Sequence, residues 1–115
     1  MLENKDYCDY DTCVALRELG YNTPQRLIPD YFGVFEEPQY DERIHLYDAQ
    51  KWLREEKNII VEVFVDDDSD TPITYNIYKD GECVCHHHGK YWSVKEWSEA
   101  LSEGIKEAVK ILKGE

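Results

Sequence analysis

The stretch that decides the fold is residues 59–85, IIVEVFVDDDSDTPITYNIYKDGECVC. It opens on a β-branched run, 59–65. There Ile59, Val61, Val63 and Val65 fall on one face and Ile60, Glu62 and Phe64 on the other, because successive strand side chains point to opposite sides. The acidic run Asp66-Asp67-Asp68-Ser69-Asp70 reads as the turn that follows. Residues 71–79 then alternate again, Ile73, Tyr75 and Ile77 against Thr74, Asn76 and Tyr78. Asp80-Gly81 is a strong two-residue hairpin signal, since the turn that suits the strand twist needs positive φ at both central positions. A third strand is expected from Glu82 to about Trp92, with a break at Gly89. Three strands in this sequence order predict an antiparallel meander.

Downstream, WSVKEWSEALSEGIKEAVKILK, residues 92–113, is the clearest helix. Ser93 and Glu96 have the spacing of a capping box, and Trp92 and Trp97 that of a hydrophobic staple. Trp97, Leu101, Ile105, Ala108 and Leu112 form the expected buried stripe, with Val109 adjacent. Glu96, Glu99 and Glu103 precede Lys106, Lys110 and Lys113, the order that complements a helix dipole, and Gly114 follows the end. Upstream, Leu46, Ala49, Trp52 and Leu53 predict a helix over 46–56 that ends at Lys57-Asn58. A first helix is expected over 9–19, capped by Asp9 or Asp11 and closed by Gly20, with Tyr10, Cys13, Leu16 and Leu19 as its apolar stripe and Val14 beside it. Residues 21–45 are interrupted by Pro24, Pro29, Gly33 and Pro38 yet carry Leu27, Ile28, Tyr31, Phe32, Val34, Phe35 and Tyr40. This predicts a packed loop with a short strand over 31–35. The whole reads as one α+β domain, 1–115, a three-stranded antiparallel meander against two or three helices. The order is α-loop-α-β-β-β-α, with the two outer helices on one face of the sheet.

Charge narrows the function. Of 115 residues, 25 are acidic and 13 are Lys or Arg, a net charge of −12 spread through both halves. Such a balance opposes binding to a nucleic-acid backbone or an anionic membrane. The helix-strands-helix order from Leu46 onward is that of a double-stranded-RNA-binding domain, but the start of its last helix, Ser93 to Glu99, is not basic. No stretch approaches the roughly 20 apolar residues of a membrane span, and MLENKDYCDYD has no apolar signal core, so a cytosolic location is expected. Hydrophobic residues at 42% argue against disorder. Nine Tyr with three Trp have two readings, core filling, the default for large aromatics, and anchoring of a protein interface, and Tyr7, Tyr10, Tyr31, Tyr40, Tyr75 and Tyr91 cannot all be core.

The sharpest chemical feature is Cys83-Val84-Cys85-His86-His87-His88. On a regular strand Cys83, Cys85 and His87 share one face, a thiolate and imidazole set suited to zinc, with Cys8 or Cys13 as a fourth ligand. The spacing is not that of a zinc finger or ribbon, so a core-facing cysteine pair is the favoured reading, with no metal or cofactor and with reduced thiols. The acidic turn lacks a calcium loop's glycine and closing glutamate, those positions holding Thr71 and Ile77. His45 and the three later histidines are candidate bases, but there is no nucleophile elbow, phosphate-binding glycine loop or HExxH helix.

YCDYDTCVALRELGYNTP, YDAQKWLREEKNIIVEV and WSEALSEGIKEAVKIL together resemble a family of small uncharacterised proteins of Bacteroidetes prophages and other mobile elements. The resemblance runs through Ala15 to Tyr21, Trp52 to Glu55 and Glu99 to Leu112, and excludes the CVCHHH tract. It implies a phage or mobile-element setting and no particular activity. The function expected from these readings is a non-enzymatic protein–protein interaction module. The alternatives are a metal-binding or small catalytic domain on Cys83, Cys85 and His87, and an acidic nucleic-acid mimic or antitoxin-like partner of a basic protein.

Overall fold

In the computed structural model, β1 (Ile59–Val65), β2 (Ile73–Lys79) and β3 (Glu82–Cys85) form an antiparallel sheet in the order β1-β2-β3. Described are residues 6–22, 43–66, 69–85 and 91–114. The loop over 23–42 with its expected strand at 31–35, Asp67, Asp68 and the histidines His86, His87 and His88 lie outside them.

The β1–β2 register pairs Ile59 with Lys79, Val61 with Ile77, Val63 with Tyr75 and Val65 with Ile73. Alternation therefore puts the aliphatic residues of both strands on one face, where Ile59, Val61, Ile73, Tyr75 and Ile77 are buried. Val65, at the end of its strand, is exposed. Asp80 and Gly81 have φ of 53° and 86°, the two positive values the hairpin signal requires. The chain returns to the sheet at Trp92, which exchanges both backbone hydrogen bonds with Ile73 at 2.8 and 2.9 Å.

Three helices surround this sheet, α1 (Tyr10–Glu18), α2 (Leu46–Lys57) and α3 (Trp97–Lys113), giving the α+β order α-α-β-β-β-α. Asp9 caps α1, its Oδ1 accepting from the Thr12 N–H at 2.8 Å. His45 caps α2 through Nδ1, which accepts from the Tyr47 N–H at 3.2 Å, and Asn58 closes it at φ 52°. A 3-10 turn, Val94–Glu96, leads into α3, and there the Glu96 carboxylate accepts from the Ser93 N–H at 2.9 Å.

α3 lies across β1 and β2, α2 packs on β1 and α3, and α1 packs on α3. The second helix on the sheet is thus α2 and not the outer helix α1 that the sequence favoured. The reason is connectivity: α2 runs into β1 through the single residue Asn58, and its Leu46, Ala49 and Leu53 stripe has nowhere else to bury. On α3 the buried positions are Ala100, Leu101, Gly104, Ile105, Ala108 and Val109. Trp97 and Leu112, expected in the stripe, are only half-buried, so the true stripe is rotated toward the small residues. Trp92, the ring expected to staple Trp97, lies against Tyr75 on the sheet, ring centroids 5.9 Å apart.

Candidate functional site

The N-terminal arm enters the fold by pairing with the segment before α2. Tyr7 bridges His45, and the Cys8 N–H donates to the Ile44 carbonyl at 2.8 Å. This places Tyr7 and Asp9 beside the first half of α3, and a groove of about 440 Å³ opens between them. Its aromatic surfaces are Tyr7 and Trp92, its cations Arg43 and Lys106, and its acids Asp9, Glu99 and Glu103. Glu99, Glu103 and Lys106 reach one side of α3 because positions three and four apart share a helix face.

Most of the charge here is internally matched. Lys106 Nζ lies 2.9 Å from Asp9 Oδ2 and 3.6 Å from Glu103 Oε1. Partial burial pushes the Asp9 carboxyl up, but hydrogen bonds from Thr12 and Lys106 together outweigh it and hold the group at about 2. The same contact with Asp9 raises Lys106. The Arg43 guanidinium sits 4.5 Å over the Tyr7 ring, a cation–π contact, and Tyr7 meets His45 edge-on at 5.7 Å. Of the groove's acids, Glu99 is exposed. Sequence reading missed this groove because its residues come from four separate segments, and Arg43 and Lys106 look like ordinary surface cations in one dimension.

The cysteine tract is arranged differently from expectation. β3 carries a bulge: Ile77 pairs with Cys85 and Tyr78 with Cys83, so Val84 is the extra residue. The bulge shifts the alternation by one. Cys85 turns into the core at 5% exposure, whereas Cys83 lies opposite Tyr78 on the outer face and is exposed. The two sulfurs do not share a strand face, and His87 is outside the described residues. Cys8 and Cys13, considered as a fourth ligand, are buried, and the Cys13 thiol donates to the Cys8 carbonyl oxygen at 3.6 Å. Among the described residues no group of three or more His, Cys, Asp or Glu side chains is arranged to hold a metal ion. In the acidic turn, Asp66 accepts from the Tyr91 hydroxyl at 3.1 Å and its N–H donates to the Pro72 carbonyl at 2.7 Å. His45 serves as the α2 cap.

No family model, no curated protein and no solved structure matches the chain. Among the described residues no helix is long and apolar enough to cross a membrane.

Proposed function

We propose that the protein is a non-enzymatic protein-binding module whose groove between the N-terminal arm and α3 takes a cationic segment of a partner protein. The observation that carries this reading is the composition of the groove: the aromatic Tyr7 and Trp92 line it together with Glu99 and Glu103, Glu99 being exposed, in a molecule with a net charge of −12. Ring faces attract guanidinium and ammonium groups, and carboxylates add charge-assisted hydrogen bonds. The Arg43–Tyr7 contact is an internal example of the interaction a partner's arginine would make. The overall negative field speeds the encounter with a basic partner. The phage or mobile-element setting rests on the sequence resemblance. Occupying a basic partner is also what an antitoxin-like or nucleic-acid-mimicking role requires, so these readings differ in the partner and not in the surface.

A titration with an Arg- and Lys-containing peptide, followed by calorimetry, tests the proposal. Binding that weakens as salt rises, and that Trp92→Leu together with Glu99→Gln weakens at least about tenfold (about 1.4 kcal/mol), is the expected result. Equal binding of an acidic peptide of the same length, or indifference to both substitutions, would overturn it.

A further inference from the structure

Two thiols that the groove does not use meet at the junction of the arm and α1. Cys8 is 1% exposed and Cys13 is 3% exposed. Cys8 is pinned by its backbone bond to Ile44, and Cys13 lies one turn into α1, its N–H donating to the Asp9 carbonyl at 2.9 Å. The Cys13 thiol donates to the Cys8 carbonyl oxygen at 3.6 Å, which sets the two cysteines side by side. The Ile44 backbone N–H is directed at the Cys13 sulfur, and Arg17 and Arg43 bring positive charge from α1 and from the segment before α2. Asp9 and the Tyr21 phenol complete the titratable surroundings of the pair.

We propose that Cys8 and Cys13 form a redox-active dithiol, oxidised by a hydroperoxide to a reversible disulfide, with Cys13 as the attacking sulfur and Cys8 as the resolving one. The asymmetry follows from the surroundings. The interaction with Cys8, then the Ile44 N–H and the two arginines, outweigh burial and lower the Cys13 thiol below its ordinary value. The interaction with Cys13, followed by burial, pushes the Cys8 thiol up. Of the two sulfurs Cys13 is thus the one that ionises first and attacks as thiolate.

In the first step the Cys13 thiolate attacks one peroxide oxygen. The S–O bond forms, the O–O bond breaks, and the departing hydroxide takes up a proton to leave as water. Cys13 is then a sulfenic acid and carries no charge, which removes the neighbour that held the Cys8 proton in place. Cys8 loses that proton and attacks the Cys13 sulfur. The S–S bond forms, the S–O bond breaks, and a second water leaves. Two thiols and one hydrogen peroxide give one disulfide and two waters, the sulfurs oxidised and the peroxide oxygens reduced. Hydrogen peroxide is little larger than water, which suits a sulfur this enclosed.

The test uses the full, reduced chain treated with limiting hydrogen peroxide, then alkylated and cleaved with trypsin. Both cysteines fall in one peptide, residues 6–17. The expected product is that peptide lighter by two hydrogen atoms and closed to alkylation until a reductant is added, formed before exposed Cys83 is oxidised. Cys8→Ser should leave a dimedone-trappable sulfenic acid on Cys13, and Cys13→Ser should leave Cys8 unoxidised. A peptide that stays fully alkylatable while Cys83 is consumed would overturn the proposal. Should neither serine variant fold, the wild-type chain still decides. Half-maximal iodoacetamide reactivity of Cys13 at a pH below that of Cys83 in the same chain supports the proposal, and a midpoint at or above the ordinary value of about 8.5 overturns it.

Discussion

At Gly104 the backbone of α3 comes closest to the sheet. A Cβ built there would lie 2.5 Å from Val61 Cγ1 and 3.4 Å from Tyr75 Cδ2. In an open helix, Gly→Ala stabilises by roughly 0.5–1 kcal/mol. Forcing a methyl group into a filled core costs about 1–3 kcal/mol. The second effect wins at 2.5 Å, because Val61 is 1% exposed and its β-branched side chain has a stiff χ1. Gly104→Ala should therefore lower the urea midpoint. Adding Val61→Ala to it should cost less than the sum of the two single changes, since the new methyl then occupies the space the valine vacates. A Gly104→Ala protein more stable than wild type would mean that the helix sits further from the sheet. Asp9 makes a second prediction at this scale. Its carboxyl is lowered from 3.8 to about 2 in the folded protein. A depressed folded value gives stability that is present above the unfolded pKa and lost as pH falls toward the folded one, so this contribution should disappear between about pH 4 and 2. The side chain is 48% exposed, so screening keeps the effect small. Asp9→Ala, which also removes the cap, should cost about 1 kcal/mol at pH 7, and chemical denaturation at both pH values measures the difference.

Regular elements were legible wherever local pattern and burial agree. β1 is the β-branched run itself, α2 begins at Leu46 as its stripe requires, and the Asp80-Gly81 turn has the dihedral angles its sequence demands. That turn gives the prediction at this scale. Gly81 has φ 86° with open space around it, so Gly81→Ala meets no neighbour and pays only for a left-handed backbone, about 1–2 kcal/mol. The loss should appear in the urea midpoint with the slope unchanged. β3 shows where local pattern stops being informative. Nothing in Glu82-Cys83-Val84-Cys85 marks a bulge, because no glycine or change of residue type sits at Val84, and the two-residue alternation of the cysteines looks regular. The bulge comes from pairing with β2, a property of two segments together. The same holds for Cys8 and Cys13. Their spacing is five residues, and only the non-helical backbone at the Asp9 cap brings the first against the second. The Tyr7, Arg43, Trp92 and Lys106 groove is less legible still, since three long-range contacts must form before it exists.

For the molecule as a whole, charge sets the response to salt. The chain carries 25 acidic residues against 13 lysines and arginines, so like-charge repulsion between carboxylates opposes the compact state. Exposed ion pairs act in the other direction. Lys113 with Glu18 at 3.6 Å ties α3 to α1, and Lys51 with Glu55 at 3.9 Å lies along α2. Such exposed pairs contribute about 0–1 kcal/mol each. Salt screens both effects, the attraction within a few close pairs and the repulsion summed over many more distant ones. The screening length falls from about 30 Å at 0.01 M to about 8 Å at 0.15 M ionic strength. Over that range it is the long-range repulsion that is lost, while partners 3–4 Å apart remain inside the screening length. The thermal midpoint should accordingly rise as sodium chloride goes from about 0.01 to 0.15 M at pH 7, where the carboxylates are ionised. Lys113→Gln should lower the midpoint slightly and enlarge the rise, because it removes one attraction and adds to the net negative charge. A midpoint that falls with salt would show that local ion pairs, the Asp9–Lys106 contact at 2.9 Å foremost, dominate the electrostatics of the fold.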